Sequence, residues 1–300
     1  MADPRPGGPA ARLLPDGRLH LQHGPIDLVI EAFGEAGEVA LAYRQAWLRF
    51  QDILATLVAE LPLLRLRVDD DHPGVAGPVA RRMLAACRPH AGRFITPMAA
   101  VAGAVADEIL SALIAERSLA KAYVNNGGDI ALHLAPGETL AAGVVGDVDC
   151  PAIDGIATIS AAMPVRGIAT SGWRGRSFSL GIADAATVLA ADGAAADAAA
   201  TLVGNAVDLD HPAIERTRAR DLDETSDLGG RLVTTAVGLL EPADIALALA
   251  RGATCAEAMC RRRMIHGAVL LLQRQIRIIG DDTRRRLHAE VNTQPAYLDA

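Results

Sequence analysis

The chain has 300 residues and a net charge of −7, is 51% hydrophobic, and is only 3% aromatic. That length fits one large domain or two small ones with a substantial core. The acidic balance excludes nonspecific nucleic-acid binding, which needs a basic face.

No apolar run reads as the roughly 18 to 20 residues that span a bilayer, so no membrane partner is expected. Met1-Ala2-Asp3-Pro4-Arg5-Pro6 lacks the basic stretch and apolar core of a secretory signal, and a cytoplasmic address is expected. Lys121 is the only lysine, so a Schiff-base mechanism would have to use it. Cys87, Cys150, Cys255 and Cys260 form no Cys-x-x-Cys pair and no zinc-like spacing with His, and they read as packing residues.

Residues 1–11 read as a flexible segment, 12–280 as a single domain and 281–300 as a charged tail. Residues 17–43 read as a β-hairpin: Leu19 and Leu21 alternate with polar residues, Ile26 to Phe33 is apolar-rich, and Val39 to Tyr43 follows a Gly-Glu-Ala-Gly-Glu turn. A helix is expected over Arg44 to Leu61, from an apolar stripe at spacings of three and four that Pro62 ends. Asp69 to Gly74 reads as a solvated acidic loop, Pro78 to Cys87 as a helix, and Met98 to Ala115 as an Ala-rich helix whose Gly103 suits close approach to another backbone.

Ala122 to Asn125, Asp129 to Leu134, Thr139 to Gly146 and Gly155 to Ser160 read as strands, as do Ile168 to Ser171, Ser177 to Ile182, Ala185 to Ala190 and Leu232 to Leu239. Ala194 to Ala206 and Pro242 to Arg251 read as helices, and Gly267 to Ile279 as a long strand or hairpin. Strands and helices do not alternate regularly, so the expected class is α+β with mixed or antiparallel sheets and packed helices. No internal repeat stands out. The Ala-rich surfaces permit a homodimer.

Two segments carry chemistry. In Asn125-Asn126-Gly127-Gly128-Asp129 the glycines allow positive φ and close approach of N–H groups to a ligand, and Asp129 is placed to bind a hydroxyl or cation. An Asx-type hairpin turn explains the same residues. Thr170-Ser171-Gly172 offers two hydroxyls, with Arg166, Arg174 and Arg176 around it for phosphate. Ordinary turn chemistry covers these too, and Asp184 is either a second acid or a turn residue. Asp197 and Thr201, at i and i+4, share a helix face and make a hard oxygen pair that Mg2+ tolerates. A helix N-terminal acid beside a core Thr gives the same pattern.

In order, these segments resemble the ApbE-like superfamily, and within it the offshoot called uncharacterised protein family 0280. Met98 to Asp107 looks like that offshoot's helix, Val124 to Ile130 like the glycine turn, Thr170-Ser171-Gly172 like the hydroxyl turn, and Ala196 to Thr201 like the ADAxxT helix. ApbE proper is a Mg2+-dependent flavin transferase that cleaves FAD, releases AMP and attaches FMN to a Thr of an acceptor protein.

The resemblance implies Asp197 and Thr201 as Mg2+ ligands. It implies Asp107, Asn126, Gly127, Gly128, Asp129, Thr170, Ser171 and Gly172 as the lining of a pocket for FAD or another phosphate-bearing cofactor. It identifies no catalytic residue. Two departures stand out: Ala102 replaces the Lys before the helix glycine, and Ser177 to Asp184 replaces a His-Ile-Ile-Asp-Pro stretch. The alternative reading is a cofactor-binding or biosynthesis protein without transferase activity, such as one serving a pterin- or furan-type one-carbon carrier.

Overall fold

The computed structural model describes residues 7–145, 153–280 and 287–288. The chain opens with β1 (Ala10–Leu13), β2 (Leu19–His23) and β3 (Ile26–Gly34). Helices α1 (Ala36–Phe50), α2 (Ile53–Ala59), α3 (Leu61–Leu64), α4 (Pro78–Cys87) and α5 (Val101–Ile114) follow, the last entered through a 3-10 turn over Pro97–Ala100. Then come β4 (Leu119–Asn126), β5 (Asp129–Leu134), β6 (Thr139–Val145), β7 (Ile153–Ser160), β8 (Gly167–Ser171) and β9 (Ala185–Ala190). The remainder is α6 (Gly193–Ala206), β10 (Ile214–Arg218), α7 (Ala219–Leu222), β11 (Leu232–Val237), α8 (Pro242–Arg261), β12 (Gly267–Leu272) and β13 (Gln275–Ile279), with a short pairing at Leu287–His288.

The main sheet runs in the order β1-β2-β3-β4-β5-β8-β9-β12-β13, antiparallel throughout. It divides into two like halves. In each, a hairpin (β2–β3 or β8–β9) leads into helices (α1 to α5, or α6 to α8) and returns as a hairpin beside the first (β4–β5 or β12–β13). The halves join where β5 meets β8. The duplication is visible in topology, not in overall sequence, which is why the sequence reading found no repeat.

Two cores follow from the two faces. Alternation along β3 buries Ile26, Leu28, Ile30 and Ala32 and turns Asp27, Val29, Glu31 and Phe33 away. These join Phe50, Ile53, Met83, Ile109, Leu113 and Val203 in the helix-side core. On the other face Leu132, Leu134, Ile168 and Leu189 pack with Ile159 of β7. Strand β9 is buried at every position because it is covered on both sides. Where the Glu108 carboxylate accepts from Arg49 Nε at 2.8 Å and Arg82 Nε at 2.9 Å, α1, α4 and α5 are tied together.

Most expected elements are present, and several boundaries move. Ala10 and Ala11, read as part of the loose N-terminal segment, start β1. Val39 to Tyr43 lies in α1, not in a strand, because Glu35 caps the helix by accepting from the Gly37 and Glu38 N–H groups. Pro62 opens α3, where a first-turn position needs no N–H donor. Ser177 to Ile182 is irregular: Asn205 Oδ1 accepts from Leu180 N, and the Thr234 main chain and hydroxyl bond the Ser179 and Gly181 carbonyls. Helix α8 runs on past Arg251 because its buried face continues through Ala253, Ala256 and Met259. The charged tail read over residues 281–300 lies outside the described residues, apart from Leu287 and His288, and so do Gly146 and Cys150.

The expectation that no segment could span a bilayer is corrected. Pro97–Ile114 is long and apolar enough by length and composition, with mean hydropathy 1.5, but 56% of it is buried inside the fold. It is packed against α1, α4, α6, β4 and β5.

Buried His90 gives a pH prediction. Burial, then the positive charges of Arg262 and Arg93, pull its pKa down to about 4 from 6.5. Between those values the unfolded chain takes up a proton that the folded chain refuses, so this residue removes stability as pH falls through the window. Wild type should lose several degrees more in melting temperature between pH 7 and pH 5 than His90→Gln, for a contribution on the order of 2 kcal/mol. Parallel melting curves for the two proteins would rule this out.

Candidate functional site

The glycine turn is a two-residue hairpin link between paired Asn126 and Asp129. Gly127 and Gly128 have φ of 65° and 111°, as a type I′ turn requires at both central positions. Asn125 Oδ1 accepts from Gly128 N at 2.8 Å. The Asn126 side chain is buried and donates to the Ala102 carbonyl at 3.1 Å, pinning the hairpin tip to the start of α5. Asp129 Oδ1 accepts from Thr170 N at 3.2 Å, which joins the glycine turn to the hydroxyl turn on β8.

Helix α6 brings the third part. It crosses α5 so closely that a Cβ on Gly103 would stand 2.1 Å from the Gly193 carbonyl oxygen. At this crossing each helix lends a carboxylate to the other's backbone. Asp107 accepts from Gly193 N at 2.9 Å and Ala194 N at 2.8 Å, and Asp197 accepts from Gly103 N at 3.0 Å. The same spacing, Gly103-Ala-Val-Ala-Asp107 and Gly193-Ala-Ala-Ala-Asp197, is the one trace of the duplication in the sequence. Ser111 and Thr201 follow four residues later in each.

The two copies have diverged. Ser111 Oγ donates to the Asp107 carbonyl and accepts from Arg82 Nη2, and both Asp107 oxygens are bonded to backbone. The Asp197 copy is open. Asp197 has one strong backbone contact at Oδ2, and among the described residues no protein group bonds the Thr201 hydroxyl. Asp107, expected in the pocket lining, is buried with both carboxylate oxygens taken up at the start of α6, the helix that carries Asp197.

Electrostatics sets this corner apart. Part of the surface of Asp129 and Asp197 remains exposed, but their carboxyl groups are desolvated. Desolvation pushes Asp129 up to about 7, against the opposing Thr170 N–H. Asp197 is raised well above the usual range by desolvation first and then by the nearby charge of Asp129, against the N–H groups of Gly103 and Ala102. Asp107 rises to about 6, mainly through burial. Burial also raises the Cys87 thiol, with Asp197 adding to the effect, so Cys87 backs the site as a neutral residue. Sequence reasoning missed this neighbour, and spacing carries no sign of it.

Strand β8 and the segments beside it divide their residues between site and scaffold. Thr170 is exposed, and its hydroxyl shares a hydrogen bond with Thr187 Oγ1 at 2.9 Å. Ser171 packs beside Gly204, where α6 ends. Gly172 lies so near the Asp184 carbonyl that a Cβ would meet it at 2.2 Å. Asp184, left open as an acid or a turn residue, is structural: Oδ1 accepts from Trp173 Nε1 at 3.0 Å and Oδ2 from Gln273 N at 2.6 Å. Arg166, expected around the hydroxyl turn, is spent on the Ala161, Met163 and Val165 carbonyls. Arg176 does reach the glycine turn, with Nη1 3.7 Å from where a Gly127 Cβ would lie. The structure therefore gathers Asn126, Gly127, Gly128, Asp129, Thr170 and Asp197 at one end of the α5–α6 crossing, with Thr201 one helical turn on.

Comparison with known proteins gives consistent relatives. The family model described as AbpE bacteria matches residues 11–278. A UPF0280 protein of Methanothrix thermoacetophila is 38% identical over 150 residues, covering 50% of this chain and 60% of the relative. A UPF0280 protein of Methanosphaerula palustris is 34% identical over 194 residues, covering 58% of this chain and 75% of the relative. The chain thus spans less than two thirds of the first relative's length. Among solved structures, the flavin transferase ApbE of Vibrio cholerae is 10% identical with a TM-score of 0.44, over 90% of this chain and 98% of that one. The ApbE protein of Thermotoga maritima is 12% identical with a TM-score of 0.36, over 85% and 79%.

Proposed function

Since the chain belongs to the family described as AbpE bacteria, an ApbE-like family, we propose that it handles a phosphate-bearing cofactor of the flavin nucleotide class, FAD first, together with Mg2+. The observation that carries this reading is the pair Asp129 and Asp197: both carboxyls are desolvated, the charge of Asp129 adds to the cost of ionising Asp197, and no cation is among the groups that shift them. Buried charges need a partner, and a divalent ion is the partner that two carboxylates and a free hydroxyl suit.

The donor set fits Mg2+ in kind. Carboxylate and hydroxyl oxygens are hard donors, and Mg2+ sites commonly complete their shell with water and phosphate. Asp197 and Thr201 would hold the ion with Asp129 opposite. When bound, the ion offsets charge on a pyrophosphate. The protein's own share is positional. Asn126 holds the hairpin tip, Gly127 and Gly128 keep its surface free of side chains, and exposed Thr170, bonded through its N–H to Asp129, would stand beside the ligand, with Ser171 and Gly172 fixing the end of its strand.

A second reading, a cofactor-binding or biosynthesis protein without transfer activity, is favoured by one observation. Asp184, the acid in the stretch that replaces His-Ile-Ile-Asp-Pro, is committed to Trp173 and Gln273, and Ala102 offers no side-chain amine. Flavin fluorescence titration with and without Mg2+, followed by chromatography for AMP, separates the readings. Mg2+-dependent binding of FAD is expected in both, and AMP release with FMN transfer to an acceptor protein in the first only. A protein that ignores FAD under either condition defeats the flavin assignment. Protons compete with the ion for the carboxyl pair, so Mn2+, used as a probe, should bind more tightly at pH 8 than at pH 6.

A further inference from the structure

Aromatic residues are scarce, nine in 300, yet Trp173 and Phe178 fall within six positions of the loop between β8 and β9. Phe178 is 40% exposed and so does little for the core. Trp173 is half-buried and tightly oriented: its main-chain N–H donates to the Ala183 carbonyl at 3.0 Å and its indole N–H to Asp184 Oδ1 at 3.0 Å. The Arg174 guanidinium stands 5.0 Å from the ring centroid. Three residues after Trp173, Arg176 reaches back over the glycine turn, close to Gly127, with Nη2 3.4 Å from the Pro25 carbonyl. Nothing lies within 4 Å of where a Gly128 Cβ would be, so the turn is open beneath it.

An indole with its edge fixed and part of its surface in water is a stacking platform for a planar ring. A guanidinium beside a side-chain-free turn is a phosphate fork. Both belong to the loop that follows Thr170, whose N–H donates to Asp129 of the carboxyl pair. We propose that Trp173 and Arg176 select the ligand of this site: Trp173 stacks on its planar heteroaromatic ring and Arg176 pairs with its phosphate. This rests on the cofactor reading above and narrows it to ligands that carry both groups. The Trp173–Asp184 bond orients the platform, while the other Asp184 oxygen holds the Gln273 N–H.

Riboflavin and FMN share a ring and differ in the phosphate, so they separate the two roles. Their affinities should be measured by flavin fluorescence, with Mg2+ present, for wild type, Trp173→Ala, Trp173→Phe and Arg176→Ala, each checked for an unchanged melting temperature. Trp173→Ala should weaken both ligands about tenfold or more, and Trp173→Phe should keep most of the affinity because a ring remains. Arg176→Ala should weaken FMN about tenfold and leave riboflavin unchanged. Equal binding by all four proteins overturns the proposal. So does Trp173→Phe as weak as Trp173→Ala, which would make the indole N–H structural, or loss of both ligands alike in Arg176→Ala. A wild type that binds neither flavin defeats the cofactor reading itself and the proposal with it, a different outcome from wild-type binding that the variants do not alter.

Discussion

Gly103→Ala is expected to destabilise the protein by about 3 kcal/mol or more, at the upper end of what overpacking costs. The added methyl would lie 2.1 Å from the Gly193 oxygen, 2.4 Å from its carbonyl carbon and 2.8 Å from Ala194 N. All three are backbone atoms, so no side-chain rotation relieves the clash. The helices have to separate, and separation lengthens the Asp197–Gly103 and Asp107–Gly193 bonds together. Gly92→Ala is the control, because nothing lies within 4 Å of its Cβ position and its φ is ordinary. It should change stability by no more than about 0.5 kcal/mol. Denaturant midpoints for the two variants decide the matter. If Gly103→Ala unfolds at the wild-type midpoint, the crossing is looser than described.

Asp197→Asn is expected to lower Mn2+ affinity by at least ~100-fold, beyond the loss that disturbing outer partners of a metal causes. Asparagine keeps an oxygen to accept from Gly103 N, so the fold survives while the charge goes. Thr201→Val should cost less, since it removes a neutral donor. Stability should move the other way. Asp129 is pushed up to about 7 from 3.8, so the folded metal-free chain holds a proton that the unfolded chain releases. Stability is therefore greatest at low pH from this group and falls as pH rises through about 7. Asp197→Asn removes a second carboxyl whose pKa the fold raises and so should reduce the total fall with pH, and Mg2+ should flatten it in wild type by binding the folded state. Isothermal titration with Mn2+ and melting curves at pH 5 to 8 read both effects. Wild-type Mn2+ affinity in Asp197→Asn would take Asp197 out of the metal pair.

Much of the site was legible because its signals are local. Gly127 and Gly128 announce a turn with positive φ at both central positions, and the hairpin β4–β5 has that turn. The order of glycine turn, hydroxyl turn and Asp-x-x-x-Thr helix carries the resemblance to the ApbE-like superfamily, in keeping with the family match over residues 11–278. Helix α4 and strand β9 matched their expected bounds, since Pro78 at a helix start and an apolar strand run are short-range marks. Errors came where a residue's partner lies far along the chain. Ser177 to Ile182 alternates like a strand, but its backbone groups bond to Asn205, Val207 and Thr234 instead of a neighbouring strand. Pro62 reads as a stop but sits in the first turn of α3, and a buried face carries α8 past Arg251, where the helix was expected to end.

By itself the sequence singled out the glycine turn, the hydroxyl turn and the Asp197–Thr201 helix, because turn geometry, helix spacing and motif order depend on near neighbours. Only the tertiary structure decided what each acid does. Asp107, Asp184 and Asp197 are alike on paper. Asp107 closes on α6 across 86 residues, Asp184 holds a loop and a distant hairpin across 89, and Asp197 bonds Gly103 across 94. Asp197 alone of the three is set against Asp129 as the largest nearby charge. A carboxylate's role follows from which N–H groups and which charges stand within a few ångströms of it, and no periodicity in a chain records that.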